Sequence, residues 1–244
     1  MKITLQEKYQ HLKPLVDNIE QYFEQSSHVL HKKRNEIRVI SFENNEYVIK
    51  AFRIPNWVNR IAYRYFRPSK AKRSYEYSLK VGAELCPEAV AYAEEIKLGL
   101  LARSYYISLH FKCDFEIRAL LNDMDFANRN QILRAFALFT YQLHEKNILH
   151  RDYSPGNILV KKKDDHYTFK IVDVNRMQFK TLTLEERLSN FVRLSEDDET
   201  MKVIIYQYAE CIQQPAEKLF QQTLQYRDTY LDKRALKNKL RGRS

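Results

Sequence analysis

Residues 149–159, Leu-His-Arg-Asp-Tyr-Ser-Pro-Gly-Asn-Ile-Leu, constrain this chain more than any other stretch, because they set Asp152 five positions ahead of a carboxamide, Asn157. Pro155-Gly156 lets the backbone turn sharply between the two. Two short apolar runs follow, 158–161 and 168–172, separated by the charged residues 162–166, and they predict a β-hairpin. The second run ends on another carboxylate, Asp173. A loop with two oxygen-bearing side chains therefore stands in front of a strand pair that finishes on a third.

That spacing fits the catalytic loop of kinases. There an aspartate accepts or orients the proton of an attacking hydroxyl, and an asparagine one loop turn later offers an uncharged oxygen to a magnesium ion. A carboxylate at the position of Asp173 binds the magnesium that bridges the ATP phosphates. Upstream, Tyr47-Val48-Ile49-Lys50-Ala51-Phe52 reads as a strand that carries a lysine among apolar neighbours, the place from which kinases reach the α- and β-phosphates. Glu76, on a helix expected over 69–85, is the first candidate to pair with Lys50, with Glu84 behind it. No glycine precedes Gly82, so a glycine-rich loop over the phosphates is excluded. The basic run His31-Lys32-Lys33-Arg34-Asn35 is its candidate substitute, with Arg34 assigned to the nucleotide, and a solvated charged turn is the alternative.

The order of elements predicts an α+β, protein-kinase-like bilobal fold: a small antiparallel-β N-lobe with one key helix, then a mainly helical C-lobe. A helical opening is expected over 5–25, then a hairpin of 37–42 and 46–52, and a helix from Ser69 that Pro87 terminates. Strands are expected near 89–94 and 103–111, a short helix near 115–121, and a buried helix over 129–146, where Ile132, Leu133, Phe136, Phe139, Thr140 and Leu143 share a face. From 184 onward the pattern is helical. The expected division is 1–111 for the N-lobe and 112–244 for the C-lobe, joined as one catalytic unit.

At these residues the chain resembles the lipopolysaccharide kinases, which phosphorylate Kdo or heptose of the lipopolysaccharide inner core. The resemblance rests on Val48-Ile49-Lys50-Ala51-Phe52-Arg53-Ile54-Pro55, on Ser69-Lys70-Ala71-Lys72-Arg73-Ser74-Tyr75-Glu76-Tyr77, on the loop from His150 to Leu159, and on Val172-Asp173-Val174-Asn175-Arg176-Met177. It implies transfer of the ATP γ-phosphate to a sugar hydroxyl of a membrane-embedded glycolipid, at the cytoplasmic face of the inner membrane. Lys50 and Glu76 would then position the nucleotide, Asp152 would act as base, and Asn157 and Asp173 would hold magnesium. Asn175 either assists the metal or caps the turn.

Composition narrows the partners. A formal net charge of +10 favours an anionic one, whether phospholipid, phosphorylated substrate or nucleic acid. Nucleic acid ranks last, because the basic residues are scattered and no zinc-finger or RNA-binding signature accompanies them. The stretch holding Arg53, Trp57, Arg60, Tyr63, Arg64, Tyr65, Phe66, Arg67, Lys70, Lys72 and Arg73 either meets anionic inner-membrane lipid or packs its rings under the β-rich lobe. No apolar stretch has the length of a membrane span and residues 1–10 are polar, so the expected place is the cytoplasm, peripheral to the inner membrane. An Ala-Pro-Glu element after Asp173 is missing, which argues against a peptide substrate. Two rival readings remain at this stage: a kinase of a soluble small molecule of the aminoglycoside or choline type, and a non-catalytic kinase-like module that binds an anionic ligand.

Overall fold

The structure, a computed structural model, describes residues 1–32, 35–54, 67–164 and 166–240. The chain forms two compact units, one of Met1–Lys112 with Asp173–Asn175, the other of Cys113–Val172 with Arg176–Ser244.

The first unit is built on a six-stranded antiparallel sheet in the order β1-β5-β6-β4-β3-β2. Its strands are β1 (Lys2–Leu5), β2 (Val29–Lys32), β3 (Glu36–Phe42), β4 (Asn45–Phe52), β5 (Ala89–Lys97) and β6 (Leu100–Leu109). The β3–β4 turn puts Glu43 and Asn44 at positive φ, and the β5–β6 turn does so with Leu98 and Gly99. Two left-handed residues give the tight turn whose twist suits a hairpin.

Period-two alternation along β4 sends its side chains to two different cores. Tyr47 and Ile49 are buried with Leu12, Leu15, Val16 and Ile19, the apolar side of α1 (Lys13–Asp17) and α2 (Ile19–Gln25). Phe52 instead joins Ala71, Tyr75 and Tyr92 under α3 (Lys70–Val81). Lys50, two residues before Phe52, shares that second face. It stands opposite Ile37 on one side and Tyr106 on the other. Arg38 ties α2 to the sheet by donating from Nη1 to the carbonyls of Phe23 at 2.9 Å and Ser26 at 2.8 Å. It thereby satisfies acceptors that a helix end leaves open.

Helix α3 begins where Ser69 accepts a hydrogen bond from the Lys72 amide at 3.0 Å. It ends at Gly82, φ +92°, five residues before the proline expected to stop it. The helical opening expected over 5–25 is instead a strand, a 3-10 segment (Glu7–Leu12) and two short helices. Tyr9 has non-helical dihedrals and Pro14 sits at the first turn of α1, so the sequence breaks where a long helix would need continuity.

The second unit packs around α5 (Arg129–Glu145), preceded by the short β7 (Phe115–Glu116) and α4 (Arg118–Asn122). Phe136 of α5 stacks on Tyr153, ring centroids 5.8 Å apart, and touches Phe169 at 6.0 Å. The expected hairpin is β9 (Ile158–Lys163) and β10 (His166–Ile171), with Ile158 opposite Ile171. An additional strand pair, β8 (Ile148–His150) with β11 (Met177–Phe179), brackets the catalytic-type loop and sets Met177 opposite His150. Helices α6 (Leu184–Ser189), α7 (Asp198–Cys211) and α8 (Ala216–Leu240) complete the unit. No helix among the described residues is long and apolar enough to cross a membrane.

Candidate active site

In the first unit the ammonium of Lys50 lies 2.5 Å from Asp173 Oδ1 and 5.3 Å from the centre of the Phe52 ring. The lysine is only 12% exposed and the aspartate 28%, so this is a semi-buried ion pair that fixes the direction of both groups. Asn175 is buried and donates from Nδ2 to the same oxygen at 2.5 Å. Of its two sequence readings, metal ligand or turn residue, the structure shows it steering the Asp173 carboxylate. Asp173 has φ +59°, a left-handed conformation uncommon outside glycine but best tolerated by Asp and Asn.

The expected Lys50–Glu76 pair is not formed. Glu76 lies 3.6 Å from Lys72, one helical turn earlier on α3, and Asp173 has the lysine. An i,i+4 partner is always within reach on a helix, whereas Glu76 would have to reach across to the sheet. Arg34 lies outside the described residues. So do residues 55–66, which hold Trp57, Arg60, Tyr63, Arg64, Tyr65 and Phe66. Beside the β2–β3 connection, Lys32 and Arg38 both pair with Glu36.

In the second unit the loop after β8 is held from within. The amide of Asp152 donates to Nδ1 of buried His150 at 3.1 Å, so the other nitrogen, Nε2, carries the proton and donates to the Val172 carbonyl at 3.0 Å. The Val172 amide in turn donates to the Asn157 carbonyl at 2.9 Å. The residue just before Asp173 is thus locked to both ends of the loop. Asn157 donates through Nδ2 to the Asp152 carbonyl at 2.9 Å and to Ser154 Oγ at 3.2 Å. With its nitrogen committed on that side, Oδ1 is the acceptor atom of the carboxamide.

Two arginines complete the setting of the Asp152 carboxylate. Arg193 Nη1 is 2.5 Å from Oδ1 and Arg176 Nη1 is 3.9 Å from Oδ2. Arg176 stands in the turn quoted from the sequence, but Arg193 arrives from beyond α6 and had no local signal. The loop therefore sits as an oriented carboxylate and an oriented carboxamide, braced by buried histidine.

A family model described as "Lipopolysaccharide kinase (Kdo/WaaP) family" matches residues 87–213, over half of the 244-residue chain, and spans both Asp152 and Asp173. The chain belongs to the Kdo/WaaP lipopolysaccharide kinase family. As a member of a kinase family it is a phosphotransferase. Among solved structures, one titled "WaaP in complex with acyl carrier protein" is similar, with a TM-score of 0.60 and 14% identity, covering 97% of this chain and 99% of that one. At that identity the likeness shows the fold, a kinase-like N-lobe sheet and helical C-lobe. No curated protein matches the chain.

Behind the loop of this Kdo/WaaP kinase lies a second histidine the sequence reading passed over. His144 of α5 is buried, with Nδ1 2.7 Å from the Tyr208 hydroxyl and Nε2 3.1 Å from Asn190 Oδ1. Asn190 then donates from Nδ2 to the His150 carbonyl at 2.9 Å. The chain of contacts runs from the helix core to the catalytic-type loop. Burial pushes the His144 pKa down to about 4, partly opposed by its bond to Asn190.

Because the folded pKa lies below that of the unfolded chain, the unfolded state binds the extra proton between pH 6.5 and 4. Stability from this group is full above pH 6.5 and is lost as pH falls through that window. The loss over the whole window is on the order of 3 kcal/mol. Urea denaturation from pH 7 to 4.5 is expected to show a steeper decline for the native chain than for His144→Gln. Parallel curves would remove His144 as the source.

Proposed function

We propose that the protein is an ATP- and magnesium-dependent kinase that phosphorylates a sugar hydroxyl, of Kdo or heptose, in the lipopolysaccharide inner core. The observation that carries this reading is the braced loop with Asp152 and Asn157 in a chain of the Kdo/WaaP family. Magnesium is served by oxygen donors, usually one or two carboxylates with the remaining positions filled by water and phosphate. Asp173 of the first unit and Asn157 of the second each carry an oxygen donor of the kind magnesium takes, and among the described residues no cluster of three or more His, Cys, Asp or Glu offers a denser cage. The ion would neutralise charge on the transferring phosphate.

In the proposed transfer Asp152 accepts the proton of the sugar hydroxyl as that oxygen bonds the γ-phosphorus. The bond from phosphorus to the bridging oxygen breaks, and its electron pair leaves with ADP. Lys50 holds the nucleotide phosphates. Glu76 of α3, which packs on the same sheet face, is its alternative counter-ion when Asp173 takes a cation. Little covalent work falls to the protein, and catalysis comes from positioning and charge. Contact with anionic lipid at the cytoplasmic face of the inner membrane belongs to the same proposal, supported by the net charge of +10 and the basic, aromatic run around 53–73.

The test is incubation with ATP, magnesium and Kdo-lipid A or a heptosylated analogue, read by mass spectrometry. Gain of one phosphate on the sugar is expected. Transfer only to a water-soluble alcohol, with none to the glycolipids, would replace this reading.

A further inference from the structure

A cleft of about 280 Å³ opens in the second unit, lined in part by Ser154, Arg193, Ser195, Glu196, Tyr230 and Arg234. Two of these residues also grip the catalytic-type loop. The Ser154 amide donates to the Asp152 carbonyl at 2.8 Å, and Arg193 is the residue that holds the Asp152 carboxylate. The cleft therefore borders the residues that hold the proposed base, with Asp152 itself outside the lining.

Its far wall is preformed. Arg227 of α8, 9% exposed, donates from Nη1 to the Glu196 carbonyl at 3.1 Å and to Asp198 Oδ1 at 2.6 Å. Those bonds fasten α8 to the turn before α7, so Tyr230 and Arg234, one and two turns further along α8, stand against Arg193. The Arg193 guanidinium lies 6.0 Å from the centre of the Tyr230 ring, within cation–π range. Arg234 reaches Glu196 at 3.6 Å in an exposed pair, which is weak and easily exchanged for another anion. The lining itself holds two guanidiniums and one carboxylate, with two serine hydroxyls and an aromatic face beside them, while Asp152, outside the lining, takes part of the charge of Arg193. The Tyr230 and Arg234 wall lies beyond the segment that carries the family match.

We infer that this cleft is the acceptor subsite and that it takes one anionic sugar residue, whose carboxylate or phosphate is bound by Arg234 together with Arg193. The inference rests on the kinase reading above. Guanidinium groups match carboxylate and phosphate through paired N–H donors, and Arg193 has five donors, of which one nitrogen serves Asp152. The volume of about 280 Å³ is just below the roughly 300–1,000 Å³ of ligand pockets, which suits a single sugar with the rest of the glycolipid outside. An anion held by Arg193 would share that guanidinium with Asp152, which brings the bound sugar to the side of the loop that carries the base.

Calorimetric titration of the full chain with free Kdo, with Kdo methyl ester and with heptose phosphate tests this. Arg234→Ala is expected to weaken binding of Kdo or of the heptose phosphate at least tenfold, with Arg234→Lys recovering part of the loss. Whichever of the two anions loses affinity is the one the cleft reads. Lys239→Ala, which removes the same charge from α8 outside the cleft, is expected to bind like the native chain, and the ester to bind native chain weakly. Binding to Arg234→Ala within twofold of native for both anions, or no binding of any probe by the native chain, overturns the subsite. Turnover of Kdo-lipid A with an unchanged acceptor KM in Arg234→Ala overturns the subsite and leaves the kinase reading standing. Anion binding through Arg234 without turnover of any glycolipid does the reverse.

Discussion

Asp152→Asn is expected to lower kcat on Kdo-lipid A by about 10²–10⁴-fold, the share of a positioned general base and about 3–5 kcal/mol of barrier. The substitution is nearly isosteric and keeps an oxygen for Arg193, which sits 2.5 Å from Oδ1 in the native chain. It removes only the capacity to take a proton. The fold should tolerate it, because weakening a partly exposed ion pair costs about 0–1 kcal/mol, and the backbone bond from residue 152 to His150 Nδ1 remains. Steady-state turnover beside a thermal melt separates the two effects. A kcat within tenfold of native would take Asp152 out of the base role.

Asp173→Asn should reduce kcat by about 10²–10³-fold, the usual scale for losing one charge-stabilising group. It should also raise the magnesium concentration needed for half-maximal rate. Asparagine is the clean choice at this position, since φ is +59° and Asp and Asn are the residues that best tolerate a left-handed backbone. Alanine would add strain of roughly 1–2 kcal/mol and blur the result. Lys50, 12% exposed and bonded to Oδ1, would keep a hydrogen-bond acceptor but lose its counter-charge. Magnesium titrations of native and variant chains that superimpose after scaling would sink the metal assignment.

Those two aspartates were legible in the sequence because their signal is local: five positions fix Asp152 against Asn157, and a strand end fixes Asp173. Lys50 was legible for a similar reason, being a charge inside an apolar strand. The partner of Lys50 was not. A helix offers several carboxylates at plausible spacing, and only the fold shows that Glu76 turns to Lys72 while Asp173 meets the lysine. Arg193 and Asn190 were also hidden, since each reaches the loop from around the short helix α6 and has no motif of its own. Strands β1 and β2 were not apparent because each has only four residues, too few for the alternation in β1 to stand out and with none in β2, and their existence depends on a neighbour to pair with. The β3–β4 hairpin and α5, long and strongly patterned, matched the expected elements closely.

Strand β1 also bears on how the chain assembles during synthesis. Lys2 lies opposite Glu94 and Leu5 opposite Ala91, so β1 has its partner in one of the last strands of the sheet in chain order. The β3–β4 and β5–β6 hairpins can close as soon as each has left the ribosome, whereas β1 must wait for β5 and bear a larger loop-closure entropy. Until then the edge of β5 is an unpaired ladder of amides and carbonyls, open to a second chain. Once docked, β1 is itself the edge of the sheet, but at four residues it presents a shorter ladder than the nine-residue β5 it covers, so the interval before it docks is when this side of the sheet is most open to misassociation.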